Sequence, residues 1–188
     1  GESIRIARYT PRPAWQGKSL ADVARTEKRP AVEIVLEIER NGGAQIVNFG
    51  MSEEDVRLIM KRPWVATASD GSSQVKGNTM PHPRSYGCFA RKIGYYAIAE
   101  GVLPVEQAIR SASGLPADIL RLPERGYLKP GYFADVVVFD PAKYRDTATY
   151  DNPHQLAAGV RYLFVNGRLA IDAGRYTGAL AGKVLRHP

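Results

Sequence analysis

The spacing of apolar positions changes repeatedly along this chain, and each change predicts an element. Ile4 and Ile6 alternate with Arg5 and Arg8 ahead of Pro11, Pro13 and Gly17, which predicts a strand end and a loop. Ser19 is placed to cap a helix over 20–27. Pro30 suits the first turn of a second helix over 31–40, in which Ala31, Val35 and Ile38 keep helical spacing. Asn41-Gly42-Gly43 ends it. Residues 44–49 are short and β-rich, the pattern of a buried strand. Ser52 opens a further helix, with Asp55 as the far end of a rough capping box and Val56, Ile59 and Met60 on the inner face.

Residues 64–69 form the most informative run. They are apolar and β-branched, and they stop abruptly on Asp70-Gly71. A buried parallel strand reads this way when it delivers one carboxylate to the mouth of an α/β fold. Helix, strand, helix, strand over 31–70 is the alternation of a parallel sheet. After a polar loop over 71–85, helices are predicted over 89–100, 104–112 and 114–122.

The pattern changes again near Gly126. Residues 134–139 predict a strand closed by Asp140-Pro141. Residues 161–165 and 168–172 flank Asn166-Gly167, a strong hairpin signal because both residues tolerate the positive φ of a type I′ turn. The chain therefore reads as α/β, with a helical, barrel-like portion over 1–125 and a small β-rich module over 126–188. Only two or three barrel strands fit before residue 88, whereas a (β/α)₈ barrel needs eight. Either the sheet is small and open, or the chain is the carboxyl-terminal part of a larger enzyme.

Composition narrows the function classes modestly. The 188 residues are 44% hydrophobic and 24% charged, as in an ordinary globular protein. The net charge of +7 is scattered among acids with no basic block, which argues against a nucleic-acid partner. No run approaches a membrane span. The start, Gly1-Glu2-Ser3, carries neither a secretory pattern nor a Met, so a processed, cut or internal start is expected. A lone cysteine, Cys88, excludes an intramolecular disulfide and suits a reducing cytoplasm.

Several motifs then carry a resemblance. They include Gly17-Lys-Ser-Leu-Ala-Asp-Val-Ala24, Met51-Ser-Glu-Glu-Asp-Val56, Ser69-Asp-Gly71, His82-Pro-Arg84 and Tyr86-Gly-Cys-Phe89. Gly114-Leu-Pro-Ala117, Lys129-Pro-Gly131, Ala134 to Pro141, Val165-Asn-Gly167 and Gly182-Lys-Val-Leu-Arg186 follow in order. With these the chain resembles the carboxyl-terminal part of the D-aminoacylases (N-acyl-D-amino-acid deacylases) of the amidohydrolase superfamily. The Pro-Gly-x-x-Ala-Asp and Val-Asn-Gly elements mark the superfamily only; His-Pro-Arg with Tyr-Gly-x-Phe is specific to the D-aminoacylase branch.

The resemblance implies the last part of a (β/α)₈ metal-dependent hydrolase barrel followed by a small β-sandwich module. It implies a zinc enzyme in which Asp70 is both the catalytic proton shuttle and a metal ligand. The other ligands, a His-x-His pair, a cysteine and further histidines, have no counterpart here; Cys88 stands where threonine is usual. Arg84 is then the candidate clamp for a substrate carboxylate, because its planar fork matches one. His82 and Tyr86 are candidates to line the substrate site, against the plainer reading of a loop hydrogen bond and packing. Asp70 likewise has a plain reading as a turn cap. His154 and His187 read as surface residues and Cys88 as a small buried hydrophobe. The loop around Lys76 is longer than the family spacing implies, which bears on where Arg84 lies.

The expected substrate is a small N-acyl-D-amino acid. The expected partner is the missing amino-terminal part of the barrel or a second copy, since an incomplete barrel leaves an open edge. A cyclic-amide hydrolase of the hydantoinase or dihydroorotase kind is an alternative that leaves His82-Pro83-Arg84 unexplained. A non-catalytic scaffold is another, which leaves Ser69-Asp70-Gly71 unexplained.

Overall fold

A computed structural model describes residues 1–186. They gather into two compact units. The first holds Gly1–Ser52, Asp70–Tyr86 and Ala148–Gln155, and the second holds Glu53–Ser69, Gly87–Thr147 and the chain from Leu156 on.

In the first unit, strand β1 (Ile4–Arg8) pairs antiparallel with β2 (Gln45–Asn48), with Arg5 opposite Val47 and Ile6 opposite Ile46. Helices α1 (Leu20–Glu27) and α2 (Ala31–Arg40) lie between them in sequence. Their bounds agree with the capping signals: the Ser19 hydroxyl accepts the Asp22 N–H at 3.0 Å. Ile6, Tyr9, Trp15, Leu20, Val23, Ile34 and Ile38 form the core. Burying Ile6, Val23 and Ile34 contributes roughly 1.5–3 kcal/mol each relative to exposure.

Two expectations are corrected in this unit. Val35 is 41% exposed, and the inner stripe of α2 is Ile34 and Ile38. Those two are four residues apart and meet the core on one line, whereas Val35 is turned aside by one helical step. The run 44–49 is not a buried parallel strand. Its ladder is antiparallel, and only Val47 of β2 is buried.

In the second unit, α3 (Glu53–Met60) carries Met60 into a core with Ile93, Tyr96, Ala97, Leu103 and Ala108. Ile59, expected inside, is 47% exposed. Helix α4 (Arg84–Ala90), which enters this unit at Gly87, runs directly into a π-helical stretch, Arg91–Ala99. Helices α5 (Val105–Ala112) and α6 (Gly114–Ile119) follow. Strands β3 (Val136–Phe139), β4 (Val160–Val165), β5 (Arg168–Asp172) and β6 (Arg175–Tyr176) form an antiparallel sheet in sequence order. The β4–β5 turn has φ of 49° at Asn166 and 78° at Gly167, as the Asn-Gly pair predicts.

Residues 64–69 depart from expectation. They are irregular rather than a strand, and Trp64 is 69% exposed. Every ladder among the described residues is antiparallel. A parallel strand needs flanking strands brought in by crossovers, and the described residues supply none to this segment. The Thr67 N–H instead finds the Ser111 carbonyl at 2.7 Å. Among the described residues no helix is long and apolar enough to cross a membrane.

Candidate active site

The motif Ser69-Asp70-Gly71 makes a tight corner. Asp70 has φ of 46°, a left-handed conformation that aspartate tolerates better than most side chains. Gly71 follows because the chain passes close to the next helix: a Cβ there would lie 2.8 Å from Ser85 Cα. The corner leaves the Asp70 carboxylate 85% exposed and 2.7 Å from Arg84 Nη2. That pair is exposed enough to contribute at most about 1 kcal/mol, so either side chain can exchange its partner readily.

The motif His82-Pro83-Arg84 has a local physical explanation. It starts helix α4. Pro83 stands just ahead of the helix and needs no N–H partner. The Arg84 N–H donates to His82 Nδ1 at 3.0 Å, so the imidazole caps the helix. This cap is why the helix begins at Arg84 rather than near Phe89. An amide can only donate, so Nδ1 is unprotonated and the neutral ring carries its hydrogen on Nε2. Nε2 lies 3.1 Å from the Tyr150 hydroxyl and donates to it. Burial, and then the charge of Arg84, pull the His82 pKa below its usual value; Asp70 pulls the other way.

Tyr86 is tied in a similar manner. Its hydroxyl is 2.7 Å from His154 Nδ1, and His154 Nε2 is 2.9 Å from the Thr79 carbonyl. The carbonyl only accepts, so Nε2 carries the hydrogen and Tyr86 donates to Nδ1. His154 is thus not a surface residue: it is half-buried with both nitrogens engaged. His187 lies outside the described residues. Cys88 is half-buried, with Sγ 3.7 Å from the Ala68 carbonyl.

The structure therefore brings Asp70, His82, Arg84 and Tyr86 together in the first unit, around the start of helix α4. It adds Tyr150, His154 and Phe49, which sequence reading missed. The Tyr150 ring centroid lies 4.7 Å from that of Phe49 and 5.1 Å from that of His82. The turn at Asn152-Pro153 was the available signal that residues 148–155 return to the site, but a turn does not say what it packs against.

A metal is not accommodated by these residues alone. Among the described residues no three His, Cys, Asp or Glu side chains converge. Asp70 is a single carboxylate, and both nitrogens of His82 are committed to protein partners. Four-coordinate zinc takes at least three protein ligands.

The cap makes a prediction. His82→Ala is expected to destabilise the isolated chain by about 1 kcal/mol, and His82→Asn to recover most of that, because Asn is a strong N-cap. Thermal unfolding of the three proteins checks this; equal losses for Ala and Asn would remove the capping role.

Comparison with known proteins places the site in context. Residues 9–171 match the model of the amidohydrolase family. The chain belongs to that family. This amidohydrolase chain is 38% identical to the D-aminoacylase of Alcaligenes xylosoxydans xylosoxydans over 93% of its own length and 35% of that protein. It is 37% identical to the N-acyl-D-glutamate deacylase of the same organism, over 88% of the chain and 33% of the relative. A crystal structure of D-aminoacylase superposes with a TM-score of 0.84 at 34% identity, covering 96% of this chain and 37% of that one. The N-acyl-D-glutamate deacylase of Bordetella bronchiseptica, complexed with zinc and a phosphonate mimic of the tetrahedral intermediate, superposes with a TM-score of 0.81 at 34% identity. It covers 96% of this chain and 38% of that one. The chain thus has the amidohydrolase fold over the part it spans, which is about a third of the length of the curated relatives it matches.

Proposed function

We propose that this chain is the carboxyl-terminal portion of a zinc-dependent hydrolase that cleaves the amide bond of N-acyl-D-amino acids, releasing a carboxylate and a free D-amino acid. The observation that carries the reading is the exposed Asp70–Arg84 pair, 2.7 Å apart, in a chain similar to deacylases over 93% of its length.

Each residue has a distinct task. Asp70 is the base that takes a proton from the attacking water and returns it to the leaving amine. Arg84 holds the substrate carboxylate. Its guanidinium has five N–H donors, and the contact to Asp70 uses Nη2, which leaves the rest of the fork for a carboxylate. His82 and Tyr86 line the same corner and keep Arg84 in place through the helix cap and the bond to His154. The described residues of this chain do not form a zinc site by themselves. In the proposed enzyme Asp70 is one oxygen donor, and the remaining ligands lie outside this chain.

The proposed architecture is a (β/α)₈ barrel whose last part falls within 1–125, followed by a β-sandwich module over 126–188. The likeness to D-aminoacylase over this part of the chain supports the first, and the sheet β3–β6 supports the second. Exposed Met51 and Trp64 support a partner, which we take to be the amino-terminal part of the barrel or a second copy. A reducing, cytoplasmic setting suits the lone Cys88.

The test is hydrolysis of N-acetyl-D- and N-acetyl-L-amino acids with added zinc, by this chain and by the chain extended to its natural start. Activity on D substrates by the extended form only is expected. Activity of the 188-residue chain alone, or no activity of the extended form on either series, would overturn the proposal.

A further inference from the structure

Lys92 is a cation placed where the fold could accept a hydrocarbon. The residue is 7% exposed. Its Nζ donates to Thr67 Oγ1 at 2.7 Å and to Ser111 Oγ at 2.8 Å. No carboxylate among the described residues forms an ion pair with it. Burial pulls its pKa below the usual lysine value, with the neighbouring Cys88 pulling the other way. An ammonium held by two hydroxyls and no counter-charge is a poor stabiliser, and replacing such a group by an apolar side chain of similar volume is often neutral or stabilising. A local rule broken without a local gain points to function.

The geometry says which function. Lys92 lies in the π-helical stretch, a rare conformation that is frequent at functional sites. Three groups of the second unit grip the segment that ends in Asp70. Lys92 holds the Thr67 hydroxyl, the Ser111 carbonyl accepts the Thr67 N–H at 2.7 Å, and Cys88 Sγ lies 3.7 Å from the Ala68 carbonyl. Both hydroxyl protons in the cluster have an acceptor, and so do two of the three ammonium protons. The Ser111 hydroxyl donates to the Ala108 carbonyl at 2.8 Å and so accepts from Lys92, while Thr67 Oγ1, 3.2 Å away, donates to Ser111. The segment has no strand ladder of its own to do this.

We propose that Lys92 is a positioning residue for the hydrolysis: acting through Thr67, it fixes the short chain segment that delivers Asp70. The inference rests on the proposed function for its reaction, but not for its geometry.

The test uses the full-length protein. Lys92→Met is expected to lower kcat about tenfold or more, as loss of an orienting partner does, with KM within about twofold and Tm unchanged or raised. Thr67→Val should behave alike, and Thr67→Ser, which keeps the hydroxyl, should stay near the unsubstituted rate. If Lys92→Met does not fold, the Val and Ser variants at Thr67 carry the comparison. An unchanged kcat, a Tm that falls with kcat, or equal losses for Thr67→Ser and Thr67→Val would overturn the role. If the unsubstituted protein hydrolyses no N-acyl-D-amino acid, the proposed function fails separately. Amide hydrogen exchange over residues 66–70 then decides: exchange about tenfold faster in Lys92→Met supports the positioning role, and unchanged exchange overturns it.

Discussion

Asp70→Asn in the full-length protein is expected to lower kcat by about 10²–10⁴-fold, the usual contribution of a positioned acid–base group. The fold should be almost untouched. The carboxylate is 85% exposed, and its ion pair with Arg84 contributes at most about 1 kcal/mol. Asparagine also tolerates the left-handed backbone that Asp70 adopts at φ 46°. Shape and backbone therefore persist, while the negative charge and the capacity to hold a proton are lost. Steady-state rates with an N-acyl-D-amino acid, alongside thermal unfolding, check this. A rate within a few-fold of the unsubstituted protein would remove Asp70 from the chemistry. A large fall in Tm would assign it a structural task instead.

Gly94→Ala is expected to have the largest effect on stability, about 3 kcal/mol or more, enough to leave much of the chain unfolded at ordinary temperature. Gly94 is buried in the π-helical stretch of the second unit. A Cβ there would collide with the Tyr144 carbonyl oxygen, come within 2.9 Å of its carbon and lie 3.2 Å from Arg145 Cα. All three are backbone atoms, so no side-chain rotation relieves the overlap. Either the π-helical stretch or the chain at 144–145 must move, and Tyr144 packs against the core of Met60, Ile93 and Tyr96. Chemical denaturation of the isolated chain measures the loss; a change under about 1 kcal/mol would mean that the close approach relaxes freely.

The candidate site was legible in part. Asp70 stood out because an apolar run ends on it, and Arg84 because of its motif. The structure adds a local reason for each motif: a left-handed corner with a close-packed glycine at Asp70-Gly71, and a capped helix start at His82-Pro83-Arg84. His154 was misread because a single histidine between Pro153 and Gln155 shows no period. Its partners, Tyr86 and Thr79, are separated from it by 68 and 75 residues. Lys92 was invisible for the same kind of reason, since a lysine in a helical pattern reads as solvated until its burial is known.

What the sequence determined by itself is what depends on a few neighbouring residues. Ser19, Pro30 and Asn166-Gly167 set helix starts and a turn through their own backbone preferences, and α1, α2 and the β4–β5 hairpin lie where those residues put them. The family, too, was readable in motifs of three to eight residues. Tertiary structure alone decided the rest. It paired β2 with β1 in antiparallel sense, turned Ile34 rather than Val35 inward, left 64–69 without a ladder and brought residues 148–155 back to His82 and Tyr86. These are choices among distant partners. A run such as 64–69 can only state that it would accept neighbours, and the strands that would satisfy a parallel ladder are not among the described residues.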